Sequence, residues 1–167
     1  MSLINVMAIQ FIMIFGTIPN RNIIDLLDCE SCDTFHTWKV LPSSVIEKMS
    51  ECIADSITFA DANQKFNQSD AVEDEKIPFR RIVFITKSSK GNEWLIYYEK
   101  GGRSHISYLT YAALGNDNLV KCIYNLSPHA IKNNILQKNE LKDVIKSGEY
   151  TIVYNNGKSL RRPYIPF

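Results

Sequence analysis

The chain predicts an α+β fold: a mostly antiparallel sheet of about five or six strands, with two or three helices packed on one face. Three observations carry this. The run from Pro78 to Leu114 is the densest stretch of β-branched and aromatic residues in the sequence. Its interruptions, Ser88-Ser89-Lys90-Gly91-Asn92 and Gly101-Gly102-Arg103, fall where hairpin turns need them. Two stretches outside it, after Ser44 and after Asn139, repeat apolar residues at helical spacing.

The central run reads as a three-stranded meander over 79–114. Alternation puts Trp94, Ile96 and Tyr98 on one face and Leu95, Tyr97 and Glu99 on the other. Ile82, Val83, Phe84 and Ile85 make both faces of the first strand apolar, so it is read as a covered strand. Further strands are expected at Leu119–Tyr124 and Tyr150–Tyr154, the latter turning back through Asn155-Asn156-Gly157-Lys158.

The helices follow from caps and stripes. Ser44-Val45-Ile46-Glu47 matches a capping box, and Val45, Ile46, Met49, Cys52 and Ile53 form one apolar stripe, predicting a helix over Ser44–Ser56. Ser127-Pro128 is a helix start. Asn139 is a cap for a short helix that buries Leu141, Val144 and Ile145 and ends at Gly148. Ile23, Ile24, Leu26 and Leu27 suit a helical turn. Ala60 to Lys76 is polar and without period, and is expected to be a mobile loop.

Residues 3–18 carry no charge. The run is short of the roughly 20 apolar residues of a bilayer-spanning helix, and it has the length of a signal-peptide core. No Lys or Arg precedes it, and no clear small-x-small cleavage site follows. Residues 1–20 are therefore read as either an export signal or a buried N-terminal element, and 21–167 as a single α+β domain. The first reading places the protein in a secreted or periplasmic setting, the second in the cytoplasm. Any membrane contact is expected only through an uncleaved N-terminal segment.

Net charge is +1, so bulk electrostatics argue for neither nucleic acid nor membrane as partner. The charge is unevenly placed, however. Residues 1–78 hold five basic and twelve acidic side chains (net −7), and residues 79–167 hold fourteen and six (net +8). Such asymmetry either joins the two halves or steers a charged partner.

Few motifs carry chemistry. P-loop, Rossmann, zincin and nucleophile-elbow patterns are absent from the sequence. No cofactor, metal centre or catalytic residue is assigned. Cys29 and Cys32 are a candidate disulfide; free thiols and a cluster with His36 and Cys52 are the alternatives. The acids Asp28, Glu30 and Asp33 oppose a reactive thiolate there. Cys52 and Cys122 read as buried small hydrophobes, and His129 as a surface residue. Arg80-Arg81 and Arg161-Arg162, with Lys87, Lys90, Lys100 and Arg103, read as a solvated basic face rather than a nucleic-acid surface. Glu99, Arg103 and His105 surround a Gly-Gly turn and are the candidate polar site.

The expected function is a small non-enzymatic protein that acts by protein–protein contact, in concrete form an inhibitor or a toxin-neutralising immunity protein. The alternative is a small hydrolase or transferase using Glu99, Arg103 and His105. That alternative requires those side chains to converge.

Overall fold

A computed structural model of the chain describes residues 20–69, 76–102, 105–114, 119–126, 136–155 and 158–159. Its strands are β1 (Asp33–Phe35), β2 (Phe59–Ala60), β3 (Arg80–Lys87), β4 (Glu93–Lys100), β5 (Ile106–Ala113), β6 (Leu119–Leu126), β7 (Tyr150–Asn155) and β8 (Lys158–Ser159). Its helices are α1 (Asn20–Leu27), α2 (Ser43–Ile53) and α3 (Lys138–Ser147), with a 3-10 turn at Trp38–Val40. The N-terminal run at 3–18, Arg103, His129, the Ser127-Pro128 helix start, Asn156-Gly157 and Arg161-Arg162 lie outside the described residues.

The α+β class and the antiparallel meander hold. The described strands form one eight-stranded sheet, larger than expected, in the order β1-β3-β4-β5-β6-β7-β8. The unforeseen strands, β1 and β2, are three and two residues long, too short to leave an alternating pattern. β2 pairs parallel to β3, and every other pairing is antiparallel.

The helices do not share one face. Val45, Met49, Cys52 and Ile53 of α2 pack with Ile82, Trp94, Ile96, Tyr98 and Ile123 on one side of the sheet. Ile23, Leu26 and Leu27 of α1, with Leu141, Val144 and Ile145 of α3, pack with Phe84, Leu95, Tyr97, Leu109 and Tyr124 on the other. The reason is the composition of the central strands. Residues 94–99 of β4 are all buried, so both faces need a cover. On the α2 side Tyr98 stacks on Tyr108 at 5.2 Å and meets Phe59 edge-on at 5.2 Å. Such pairs add about 0.5–1.5 kcal/mol each beyond burial. On the other side Lys142 reaches Asp28 at 2.5 Å and ties α3 to the end of α1.

The outer edge of β3 is divided between two short strands. β1 pairs with Ile85–Lys87 and β2 with Arg80–Arg81. In the gap a bulge at Val83 shifts the β3–β4 register between Ile82 and Phe84. His36 fills that gap, its Nδ1–H donating to the Val83 carbonyl at 2.9 Å.

Helix starts differ from expectation. α2 begins one residue early, at Ser43, with Pro42 at the N-cap and no side-chain cap bond, so the capping box at Ser44 is not formed. Ser44 therefore lies within the first turn. α3 is capped by Gln137 rather than Asn139: the Gln137 backbone N–H donates to Glu140 Oε2 at 2.7 Å. Gly148 closes α3 at φ 77, the left-handed conformation that favours glycine.

The polar stretch after Ala60 is not loose over its described part. Phe66 and Asn67 are buried. The Asn67 N–H donates to Pro78 O at 2.9 Å, and its side-chain amide donates to Ile77 O at 2.6 Å. The strand end lies so close that a Cβ on Gly101 would stand 1.8 Å from Asn67 O. Only glycine fits there.

Candidate functional site

Three features of the described surface hold chemistry or shape. The first is the polar cluster at the open end of β3, β4 and β5. Glu99 faces the α1/α3 side beside Tyr97 and has no exposed surface. Its cross-strand partners are Arg81 on β3 and Ser107 on β5. Arg81 donates to Glu99 Oε2 twice, from Nη2 at 2.8 Å and from Nε at 3.2 Å. His105, one residue before β5, brings Nε2 to 3.0 Å from Glu99 Oε1. That approach is off the hydrogen-bond axis, so Oε1 has a close neighbour but no hydrogen-bond partner among the described residues. Phe66 seals the cluster, with the Arg81 guanidinium 4.5 Å over its ring and the His105 ring 6.1 Å away.

Tyr97 lies next to this carboxylate. Burial pushes its hydroxyl above the usual tyrosine range, against bonds from the Leu136 N–H and the Ser107 side chain that pull the other way. It stays a neutral phenol, and the 2% exposed Ser107 is occupied in bonding it. Glu99 and His105 thus converge, as the polar-site reading requires; Arg103 is outside the described residues. Arg81 and Phe66 join the cluster, and nothing in their sequence neighbourhoods marks them for it. Around Phe66 and Arg81 a polar cleft of about 380 Å³ opens, lined also by Asn63, Gln64, Lys65 and Gln68.

Arg80 and Arg81 do not form the basic face that their sequence suggests. Arg81 turns to Glu99. Arg80, only 4% exposed, turns to the α2 side, where Nη2 meets Asp55 Oδ2 at 2.5 Å and Nη1 donates to Ser56 O at 3.2 Å. Lys100 stands 3.6 Å from the same carboxylate. Partial burial pushes Asp55 up, but the Arg80 bond and charge, with Lys100, outweigh it and hold the carboxyl below the usual 3.8. Lys87 lies 5.1 Å over the Trp94 ring.

The second feature is an apolar cleft of about 440 Å³ between the 3-10 turn, α2, β2 and the approach to β3. Trp38, Ile46, Ile57, Phe59, Ile77 and Phe79 line it, with Thr58 at its mouth. Trp38, Ile46, Ile77 and Phe79 are only half-buried. Its lining comes from four separate stretches of the chain, which is why no local pattern announces it.

The third is the Cys29–Cys32 disulfide, sulfurs 2.03 Å apart. It lies just beyond the C-terminus of α1, in a shallow cleft with Asn22, Asp25, Ser88 and Glu93. The negative end of a helix and the surrounding acids disfavour a thiolate there, the reverse of the setting that activates cysteines. The grouping with His36 and Cys52 is not assembled: His36 bonds Val83, and Cys52 is buried on the sheet-facing side of α2. Among the described residues no three His, Cys, Asp or Glu side chains come together as a metal site. No described helix is long and apolar enough to cross a membrane.

No family model, curated protein or solved structure matches the chain.

Proposed function

We propose that this protein acts by binding another protein, which inserts an apolar or aromatic side chain into the cleft between Trp38 and Phe79. The cleft is the observation that carries the reading. Half-buried aromatic and aliphatic side chains gathered in one concave site leave apolar area in water, the usual mark of a contact surface. The concrete form we favour is an inhibitor or immunity protein that works by occupancy. The Cys29–Cys32 disulfide supports a setting outside the reducing cytoplasm, which agrees with reading residues 1–20 as an export signal.

Thr58 is exposed and lines the cleft, so Thr58→Trp fills it without burying a polar group. Tagged wild-type protein from its native cells should bring down one stoichiometric partner. Thr58→Trp, at an unchanged melting temperature, should lose that partner at least tenfold. A solitary wild-type protein, or a partner retained by Thr58→Trp, removes the reading.

A second reading, a small hydrolase, is favoured by the 3.0 Å approach of His105 to Glu99.

A further inference from the structure

We infer that the apolar cleft binds a free lipophilic carboxylic acid, its tail inward and its head group at the rim, and that this ligand displaces the protein partner. The displacement rests on the partner reading of the same cleft; the binding of the acid does not.

The cleft has the make-up of a small-molecule pocket as well as of a contact surface. Its volume of about 440 Å³ lies within the range of such pockets. Ile57 and Phe59, 7% and 5% exposed, form its floor. The half-buried Trp38, Ile46, Ile77 and Phe79 form its sides. These residues are held in place by the fold. Phe59 pairs with Arg80 and meets Tyr98 edge-on. The Ile57 N–H donates to Ser50 Oγ at 3.3 Å, and the Trp38 N–H donates to Asp61 Oδ1 at 3.1 Å. A site ordered in advance loses little binding free energy to ordering on contact.

The polar groups select the head group. Among the described lining residues only Thr58 and Lys76 have polar side chains, and both are exposed. Lys76 is the one charged side chain of that lining, and no carboxylate is part of it. A single ammonium at the edge of an apolar hollow is complementary to a ligand with one negative charge at one end. The Thr58 hydroxyl adds a second donor. A phosphate monoester brings nearly two charges, more than one lysine balances. A carboxylate brings one.

The probes are hexanoate, octanoate and octan-1-ol, titrated calorimetrically into full-length protein. Octanoate should bind saturably at a single site. Each methylene between hexanoate and octanoate should tighten binding by up to about fourfold. Thr58→Trp should weaken octanoate at least tenfold at an unchanged melting temperature. Lys76→Met should weaken octanoate about two- to fivefold and leave octan-1-ol unchanged. Saturating octanoate should release the partner that wild-type protein brings down. Absence of saturable octanoate binding, or binding undiminished in Thr58→Trp, overturns the proposal. Equal affinity for hexanoate and octanoate overturns the inward tail. Unchanged octanoate affinity in Lys76→Met overturns the carboxylate specificity, and a partner retained in saturating octanoate overturns the displacement. The two readings of the cleft fail separately. Octanoate bound by a protein that brings down no partner removes the partner reading alone, and a partner lost in Thr58→Trp without octanoate binding to wild type removes the ligand alone.

Discussion

Val83 adds one residue to β3, and that residue decides the electrostatics at the end of the sheet. From Lys87 to Phe84 each residue faces the one expected from the hairpin turn. Continued without interruption, the ladder would set Ile82 opposite Glu99 and Arg81 opposite Lys100. The bulge moves the register by one, so Arg81 meets Glu99 and Arg80 meets Lys100. Glu99 gains its counter-charge this way. Arg81→Met should cost about 3–5 kcal/mol in urea unfolding, because it strands a buried carboxylate. Replacing both partners, Arg81→Met with Glu99→Leu, should recover most of that loss; a double variant as unstable as the single would mean that the pair is not the source. Asp55 gives a pH test. Its folded value lies below the unfolded one, so its contribution is present above about pH 4 and lost as pH falls through the folded value. The stability gap between wild type and Asp55→Asn should therefore shrink from neutral pH to about pH 3, and a gap that widens in acid would contradict the assignment. Asp55 is half exposed, so the gap is small even at neutral pH. At this scale the sequence reveals Glu99 and His105 as neighbours of a Gly-Gly turn, but not Arg81, because a bulge leaves no mark in an apolar run such as Ile82–Ile85. Phe66 is hidden by its polar neighbours.

The elements divide into those fixed by local chemistry and those fixed by packing. The strand period of two sorts Trp94–Tyr98 into two faces although every residue there is apolar, and Gly148 marks the end of α3 for a backbone reason. The start of α2 is not legible in the same way, because Ser43 and Ser44 offer equivalent hydroxyls and tertiary packing sets the helix one residue earlier. α2 also ends in a strained way: Ala54 adopts φ 51, a conformation costly for any residue with a Cβ. Ala54→Gly should stabilise the protein by about 0.5–1 kcal/mol, the strain relieved less the entropy of glycine in the unfolded chain. A shift to lower melting temperature would mean that the turn draws its stability from the Ala54 methyl. The opposite exchange, Gly101→Ala, forces a Cβ into the Asn67 carbonyl and should undock the 61–69 stretch. Faster proteolysis after Lys65 would be the signature.

For the whole molecule the class is legible and the layering is not. Composition and turn spacing give an antiparallel sheet, but the two-sided burial of β4 is shared between aromatic residues that a sequence pattern can equally assign to one wet face. Tyr97 and Tyr98 are both buried, on opposite sides. The disulfide contributes little to this architecture. It closes a loop of four residues (sequence separation 3), for which chain entropy gives about 2 kcal/mol or less. Reduction should therefore lower the unfolding midpoint without abolishing the fold, and collapse on reduction would show that the 29–32 turn anchors more than itself.

Two of the three described helices that cover the sheet precede its long strands along the chain. α1 and α2, one for each face, are made ahead of every residue of β3 to β7. During synthesis, at about 5–20 residues per second, both helices leave the ribosome with their apolar sides facing water and nothing to rest on. The protein is thus committed to a waiting period of several seconds, set by the order of its own elements. In that interval the apolar faces of α1 and α2 lack the sheet they will cover, and a circular permutant that begins at β3 would not have to wait.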